Sequence, residues 1–231
     1  MIRALDIFFA LLGLLVLGIF MIGATAILLF TGERKVLYKQ KRVGKGGEEF
    51  NLLKFATMYE NSPNMPGGLI TAVNDPRVLP FGRFLRRTKV NELPQLFNIL
   101  KGDMSFVGPR PQTRPHYSLF TEEQKRVIDE LGPGLTGVGS LFFRNEEQML
   151  ADCGTSHEYF HDQVITPYKG DLEMWYAEHK SVWLYLKIIY ITAATIINRH
   201  LNVLQYFHGL PRPPEELMEM LTPEQREAVW G

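Results

Sequence analysis

Residues 7–30 carry no charged side chain. As a helix this run would extend about 36 Å, longer than the ~30 Å hydrocarbon core of a bilayer. Helices of soluble domains keep a polar face, and this one has none. A signal peptide fits poorly, because the run is too long for an h-region and no small-x-small site precedes the next charges. The run is therefore expected to be a membrane helix, with the rest of the chain built beside a bilayer. Gly18 and Gly23 permit a bend but no proline forces one, so a spanning and a re-entrant helix both stay open. Arg3 and Asp6 stand within one turn at its start and are expected to pair.

A basic belt follows the helix: Arg34, Lys35, Lys39, Lys41, Arg42 and Lys45. From Glu33 to Met58 there are seven Lys/Arg against three acids, which puts the following domain on the cytoplasmic face. From Pro211 onward the balance reverses, with two Arg against five Glu. The formal net charge is zero, and no nucleic-acid partner is expected. Hydrophobic residues make up 45% of the chain, enough for a sizeable core. The single cysteine, Cys153, excludes an internal disulfide and a multi-Cys zinc site.

Residues 36–41 alternate as a strand, residues 44–47 form a glycine turn, and residues 49–55 read as the hairpin partner. Residues 60–76 are rich in Pro, Gly and Asn and form a loop, either a lid or a tolerated insertion. A short basic helix is expected from Pro80 to Arg87 and a second helix from Glu92 to Leu100, its apolar face made by Leu93, Leu96, Phe97 and Leu100. A turn at residues 108–111 and a helix from Glu122 to Leu131 capped by Thr121 come next. Residues 140–169 show no clear period. His157 and His161 lie four apart there, near Asp152, Glu158 and Asp162, but without an HExxH pattern they read as ordinary surface histidines. Residues 182–198 form an apolar helix with Trp183, Tyr185 and Tyr190, either interfacial or buried. Pro211–Pro214 reads as a linker and Glu215–Val229 as one acidic helix.

The chemistry concentrates between Arg86 and Pro111. Arg86 and Arg110 each offer a planar fork of donors suited to phosphate. Glu92 is a carboxylate able to hold a hard cation or move a proton. Spacing alone says anion site, and an ordinary charged surface helix is the competing reading.

At Asn91-Glu92-Leu93-Pro94-Gln95-Leu96 and at Lys101-Gly102-Asp103-Met104-Ser105-Phe106-Val107-Gly108-Pro109-Arg110-Pro111 the chain resembles the bacterial sugar transferases, small monotopic phosphoglycosyl transferases. The resemblance covers about residues 3–198, with further matches at Gln40, Lys54-Phe55, Arg77, Pro133-Gly134 and Leu186-Lys187-Ile188. It implies transfer of a sugar-1-phosphate from a nucleotide diphosphate sugar, with a UDP-sugar as the expected donor, to polyprenyl (undecaprenyl) phosphate. Such a reaction starts glycan or polysaccharide assembly at the bacterial inner membrane. The same resemblance implies Mg²⁺ held by Glu92, catalysis at positions 91 and 92, phosphate binding by Arg110 and nucleotide binding by Arg86, with Lys54 and Arg77 as supporting charges. A homodimer or a complex with other glycan-pathway enzymes is compatible with it.

The implied fold is α/β, mainly helical around a small sheet. Residues 1–32 would be the membrane helix, residues 33–200 a cytoplasmic domain with interfacial helix 182–198, and residues 201–231 a Pro-containing linker and acidic tail.

Position 91 departs from the family pattern. The family carries an Asp there that attacks the β-phosphate, and this chain carries Asn, whose carboxamide is a poor nucleophile. Glu92 could take the nucleophile's part, the lipid phosphate could attack directly, the Asn could be a substitution that traps substrate, or the chain could be a binding or scaffold protein. Gly18-Ile19 replaces the family's Ser-Pro in the membrane helix, Ala56 a usual basic residue and Tyr185 a usual Asp, which favours Asn91 as the natural residue.

Overall fold

The computed structural model describes residues 1–66, 75–198 and 200–230. The chain divides into two compact units, Met1–Arg42 with Glu49–Ser105 and Val43–Glu48 with Phe106–Gly231. The fold is α/β and mainly helical, with two two-stranded sheets among the described residues.

Unit 1 begins with α1, Ile2–Phe30, which runs unbroken through Gly18 and Gly23. Both of its ends are fastened to the same unit. Arg3 donates to the carbonyls of Ile99 (2.5 Å) and Leu100 (2.7 Å), and the Asp6 carboxylate accepts from Ser105 Oγ at 2.8 Å. The expected Arg3–Asp6 pair is thus replaced. A pair within one helix turn gains only about 0.5 kcal/mol, whereas the last carbonyls of another helix lack partners and favour a cation. Further along, Gly13 lies against Leu96, and Ala24 and Leu28 pack with Phe55 and Leu85. The remaining surface of α1, including Leu15, Ile19, Phe20 and Ile22, is exposed and apolar. The helix is long and apolar enough to cross a membrane.

Strand β1, Leu37–Val43, pairs with β2, Glu49–Phe55, as the alternation predicts. Helix α2, Pro80–Arg87, starts with proline in its first turn and is tied to the end of β2 by Leu79 N–H donating to Thr57 O at 2.9 Å. Gly82 makes this approach possible, because a Cβ there would collide with the Thr57 backbone. The expected loop at residues 60–76 contains a 3₁₀ turn at Ser62–Asn64, and its residues 67–74 lie outside the described residues.

The helix expected from Glu92 begins later, as α3, Gln95–Lys101. Val90–Glu92 forms a separate 3₁₀ turn, entered through Lys89 at φ +60°. Pro94 falls just before α3, where a missing N–H is harmless. The buried face of α3 is Gln95, Leu96, Asn98 and Ile99, while Phe97 is 49% exposed. The apolar period misled here because two polar residues occupy the buried side.

In unit 2, β4 (Gly134–Thr136) pairs with β3 (Ser105–Val107), whose first residue closes unit 1. Gly108 and Gly134 pass so closely that a Cβ on Gly134 would overlap the Gly108 backbone, and a Cβ on Gly108 would overlap the Gly132 carbonyl. Helix α4 is Arg114–Ser118, and α5, Glu122–Leu131, opens on a capping box of Thr121 and Gln124. The unordered stretch resolves into α6 (Val138–Phe142), α7 (Glu146–Asp152) and α8 (His157–Phe160). A π-helical segment, His161–Ile165, then leads into α9, Thr166–His179. Pro167 explains it. Its ring would strike the carbonyl four residues earlier, and a widened turn removes the clash.

Helix α10, Val182–Ile197, buries Leu184, Tyr185, Ile188 and Ile191 and exposes Trp183, Tyr190, Ile196 and Ile197. One side is therefore packed in the core, and the other is an exposed apolar surface. Residues 201–230 do not form a free linker and tail. Leu204, Phe207, Leu210, Leu217 and Leu221 are buried, Tyr168 Oη donates to Pro211 O at 2.8 Å, and Trp230 Nε1 donates to Leu210 O at 3.0 Å. The single acidic helix is two, α11 (Glu215–Met220) and α12 (Pro223–Trp230), split where Thr222 and Gln225 cap the second.

Candidate active site

In unit 1 the Val90–Glu92 turn packs against both α2 and β2. That brings together the elements carrying Arg86, Lys54, Asn91 and Glu92. Arg86 lies in the last turn of α2, and Lys54 lies in β2; both are half-buried and both have partners. Lys89 adopts the left-handed conformation, which costs a non-glycine residue about 1 kcal/mol.

Asn91 is 8% exposed, and its Oδ1 has no hydrogen-bond partner among the described residues. A buried carbonyl oxygen left without a donor costs about 1–3 kcal/mol, so this atom is suited to a ligand. Glu92 is half-buried and has a partner.

Asn98, which the motif reading passed over, joins α3 to β2. Its Oδ1 accepts from Leu53 N at 2.9 Å, and its Nδ2 donates to Asn51 O at 2.9 Å and Asp103 Oδ2 at 3.1 Å. One side chain thereby satisfies both backbone groups of the β2 edge and fixes α3 to the strand. No local signal distinguishes such an Asn from a surface one.

Arg77 is placed differently from the other cations. It is 3% exposed, and its guanidinium grips Asp75 at 2.9, 3.1 and 2.6 Å. Hydrogen bonding to Asp75 holds its pKa above the ordinary arginine value, against the effect of burial. This is a buried structural ion pair.

Arg110 lies in unit 2, on the glycine-bounded turn after β3. Gly108 N–H donates to Thr136 O at 2.9 Å and Gly134 N–H to Pro109 O at 2.8 Å, which fixes the backbone on both sides of the turn. The Arg110 side chain is exposed. Its charge acts on Glu146, a carboxylate that spacing did not single out. Glu146 accepts from Lys169 Nζ at 2.9 and 2.8 Å and stands 3.6 Å from His161 Nε2. Burial alone would raise the Glu146 carboxyl, but Lys169, then His161 and Arg110, pull it below the usual carboxylate range. His161 is 5% exposed, so the surface reading fails for it, while His157 is exposed as expected.

Within unit 1 the arrangement offers a hard-oxygen site, Asn91 and Glu92, beside basic residues. Within unit 2 it offers a rigid turn that presents one arginine to solvent. Both are features of proteins that handle phosphorylated ligands, and comparison with known proteins makes this specific. The chain is 42% identical over 154 residues to a putative undecaprenyl-phosphate N-acetylgalactosaminyl 1-phosphate transferase of Bacillus subtilis, covering 65% of this chain and 80% of that protein. It is 33% identical over 209 residues to the galactosyl transferase CpsE of Streptococcus agalactiae, covering 84% of this chain and 42% of that protein. It is 30% identical over 197 residues to the UDP-N-acetylgalactosamine-undecaprenyl-phosphate N-acetylgalactosaminephosphotransferase of Aeromonas hydrophila, covering 84% of this chain and 43% of that protein. The chain thus spans less than half the length of the last two. The family model for bacterial sugar transferases matches residues 1–199, which include the Val90–Glu92 turn, the Arg110 turn and the long apolar helix α1, and this chain belongs to that family.

Proposed function

We propose that the protein transfers a sugar phosphate from a nucleotide diphosphate sugar, a UDP-sugar, to polyprenyl phosphate at the cytoplasmic face of the bacterial inner membrane. The observation that carries the reading is the strained Val90–Glu92 turn, where a carboxylate adjoins a buried, unpartnered carboxamide oxygen. The relatives' names and the basic belt after α1 support donor, acceptor and sidedness.

A lipid phosphate oxygen forms the new bond to the β-phosphorus of the donor. The bond from that phosphorus to the bridging oxygen breaks, and the nucleoside monophosphate leaves with that oxygen. Arg86 and Lys54 offset the donor's negative charge, and Arg110 binds a phosphate group. Asn91 orients rather than attacks, because its amide lacks a free carboxylate oxygen. Glu92 and Asn91 Oδ1 fit Mg²⁺, which takes oxygen ligands and retains substrate phosphates in its shell. When bound, the ion would neutralise charge on the diphosphate. Arg77, locked to Asp75, supports the fold beside the site rather than the substrate.

A second reading, a protein that binds nucleotide sugar or lipid phosphate without turnover, is favoured by Asn91 alone. Nucleoside monophosphate release separates the two, assayed with a panel of UDP-sugars, with and without undecaprenyl phosphate. The expected outcome is release that requires the lipid and falls at least about 100-fold in Glu92→Ala. Release without lipid would assign a covalent phosphosugar step to Glu92. No release from the wild type, with turnover in Asn91→Asp, would establish the binding reading.

A further inference from the structure

We propose that unit 2 holds a zinc-class transition-metal ion between α4 and the π-helical segment, bound by His116, His161 and Asp162. One ligand atom from each residue lies within 4.8 Å of the others. The His116 and His161 rings stand 4.5 Å apart, and His161 Nδ1 lies 2.7 Å from Asp162 Oδ1. A tetrahedral ion with bonds of about 2.0–2.1 Å needs its ligands roughly 3.3 Å from one another. His116 and Asp162 are both half-buried, and His161 is buried between them and Glu146.

The surroundings of His161 point the same way. Its other ring nitrogen, Nε2, faces the Glu146 carboxylate at 3.6 Å. Histidines that bind metals through one nitrogen are characteristically oriented by a carboxylate on the other. The Glu146 carboxylate is itself held in place by Lys169, whose Nζ donates to it at 2.9 and 2.8 Å. Two of the three ligands also sit at a π-helical turn, an irregularity that recurs at functional sites. Here the wide turn made necessary by Pro167 carries His161 and Asp162 in succession.

The donor set defines the ion. Two imidazoles and one carboxylate suit Zn²⁺ or Co²⁺ rather than Mg²⁺, which prefers oxygen alone. The site is therefore chemically separate from Asn91 and Glu92. Bound there, the ion would tie α4, which follows the Arg110 turn, to the π-helical segment that leads into α9.

The test is direct titration of the full, tag-free chain in detergent, stripped with chelator and then given Co²⁺. We expect one equivalent to bind with visible d–d absorption and to be displaced by Zn²⁺. His116→Gln and Asp162→Asn, both at half-buried positions, should each weaken binding at least tenfold with unchanged circular dichroism. Glu146→Gln should weaken it about 10- to 100-fold, as loss of an orienting carboxylate does. His157→Gln and Cys153→Ser should leave binding unchanged. Absence of saturable one-equivalent binding, or binding that survives both His116→Gln and Asp162→Asn, would overturn the proposal and leave a hydrogen-bonded His–carboxylate cluster.

Discussion

The Asn91–Glu92 turn of unit 1 and the Glu146–His161 cluster of unit 2 are built in opposite ways. The first is two adjacent residues on one strained turn, with oxygen donors and a vacant buried acceptor. The second draws one carboxylate, one lysine and two histidines from α4, α7, the π-helical segment and α9. The turn is positioned by packing of α2, α3 and β2 around it. The cluster is itself part of the packing, because Glu146 and Lys169 neutralise each other in a largely buried place and Lys169 lies 5.2 Å from the Phe143 ring. A site on a turn can lose its chemistry without loss of fold; a site inside the packing cannot.

Paired carboxylate-to-amide variants sharpen this contrast most. Glu92→Gln is expected to remove nearly all nucleoside monophosphate release while lowering the melting temperature by no more than about 4 °C, in keeping with a cost of about 1 kcal/mol or less for an isosteric change at a half-buried position. Glu146→Gln should do the reverse in stability. It leaves the Lys169 ammonium without a counter-charge and should cost about 2–3 kcal/mol, read as a fall in melting temperature of roughly 4–12 °C at the 2–4 °C per kcal/mol expected for this size. Equal losses of stability in both variants would break the comparison.

A pH profile tests whether unit 2 buries charge chemistry elsewhere. Glu173 on α9 is buried, its Oε2 has no partner among the described residues, and burial pushes its carboxyl up to about 8. A carboxyl raised in the folded state contributes stability that is fully present below the unfolded value near 4.5 and is lost as pH rises toward about 8. Glu173→Gln cannot ionise, so its unfolding free energy should fall less than the wild type's between pH 5 and 8. Parallel denaturation curves for the two proteins across that range would count against a buried neutral Glu173.

The smallest expected change lies at the far end of α3. Arg3→Ala frees the Ile99 and Leu100 carbonyls and should destabilise unit 1 by about 1 kcal/mol. Amide exchange should quicken in the last turn of α3 but not in α9.

Much of unit 1 was legible because its signals are local. An uncharged run, an alternating pair around a glycine turn and a proline-opened basic helix each report on neighbours a few residues away. Glu92 and Arg110 were singled out on the same kind of signal, standing in short contiguous motifs. Asn98 and Glu146 were not, since their partners are 45 and 47 residues away on Leu53 and Asn51 and 23 residues away on Lys169. Arg77 was read as a supporting charge because a sequence does not show that Asp75 folds back onto it. The tail after residue 200 was read as linker and acid, although its leucines reach the core. Short apolar runs broken by prolines carry no period long enough to reveal a buried face.

By itself, then, the amino-acid sequence determined the membrane-length helix, the class of fold and the family, all of which rest on composition and on residues close together along the chain. Tertiary structure decided which cations are bound inside and which face solvent, that α1 is held at both ends by one unit, and that His161 meets His116 rather than His157. Burial and pairing depend on contacts between distant segments, and those contacts exist only once the chain has folded.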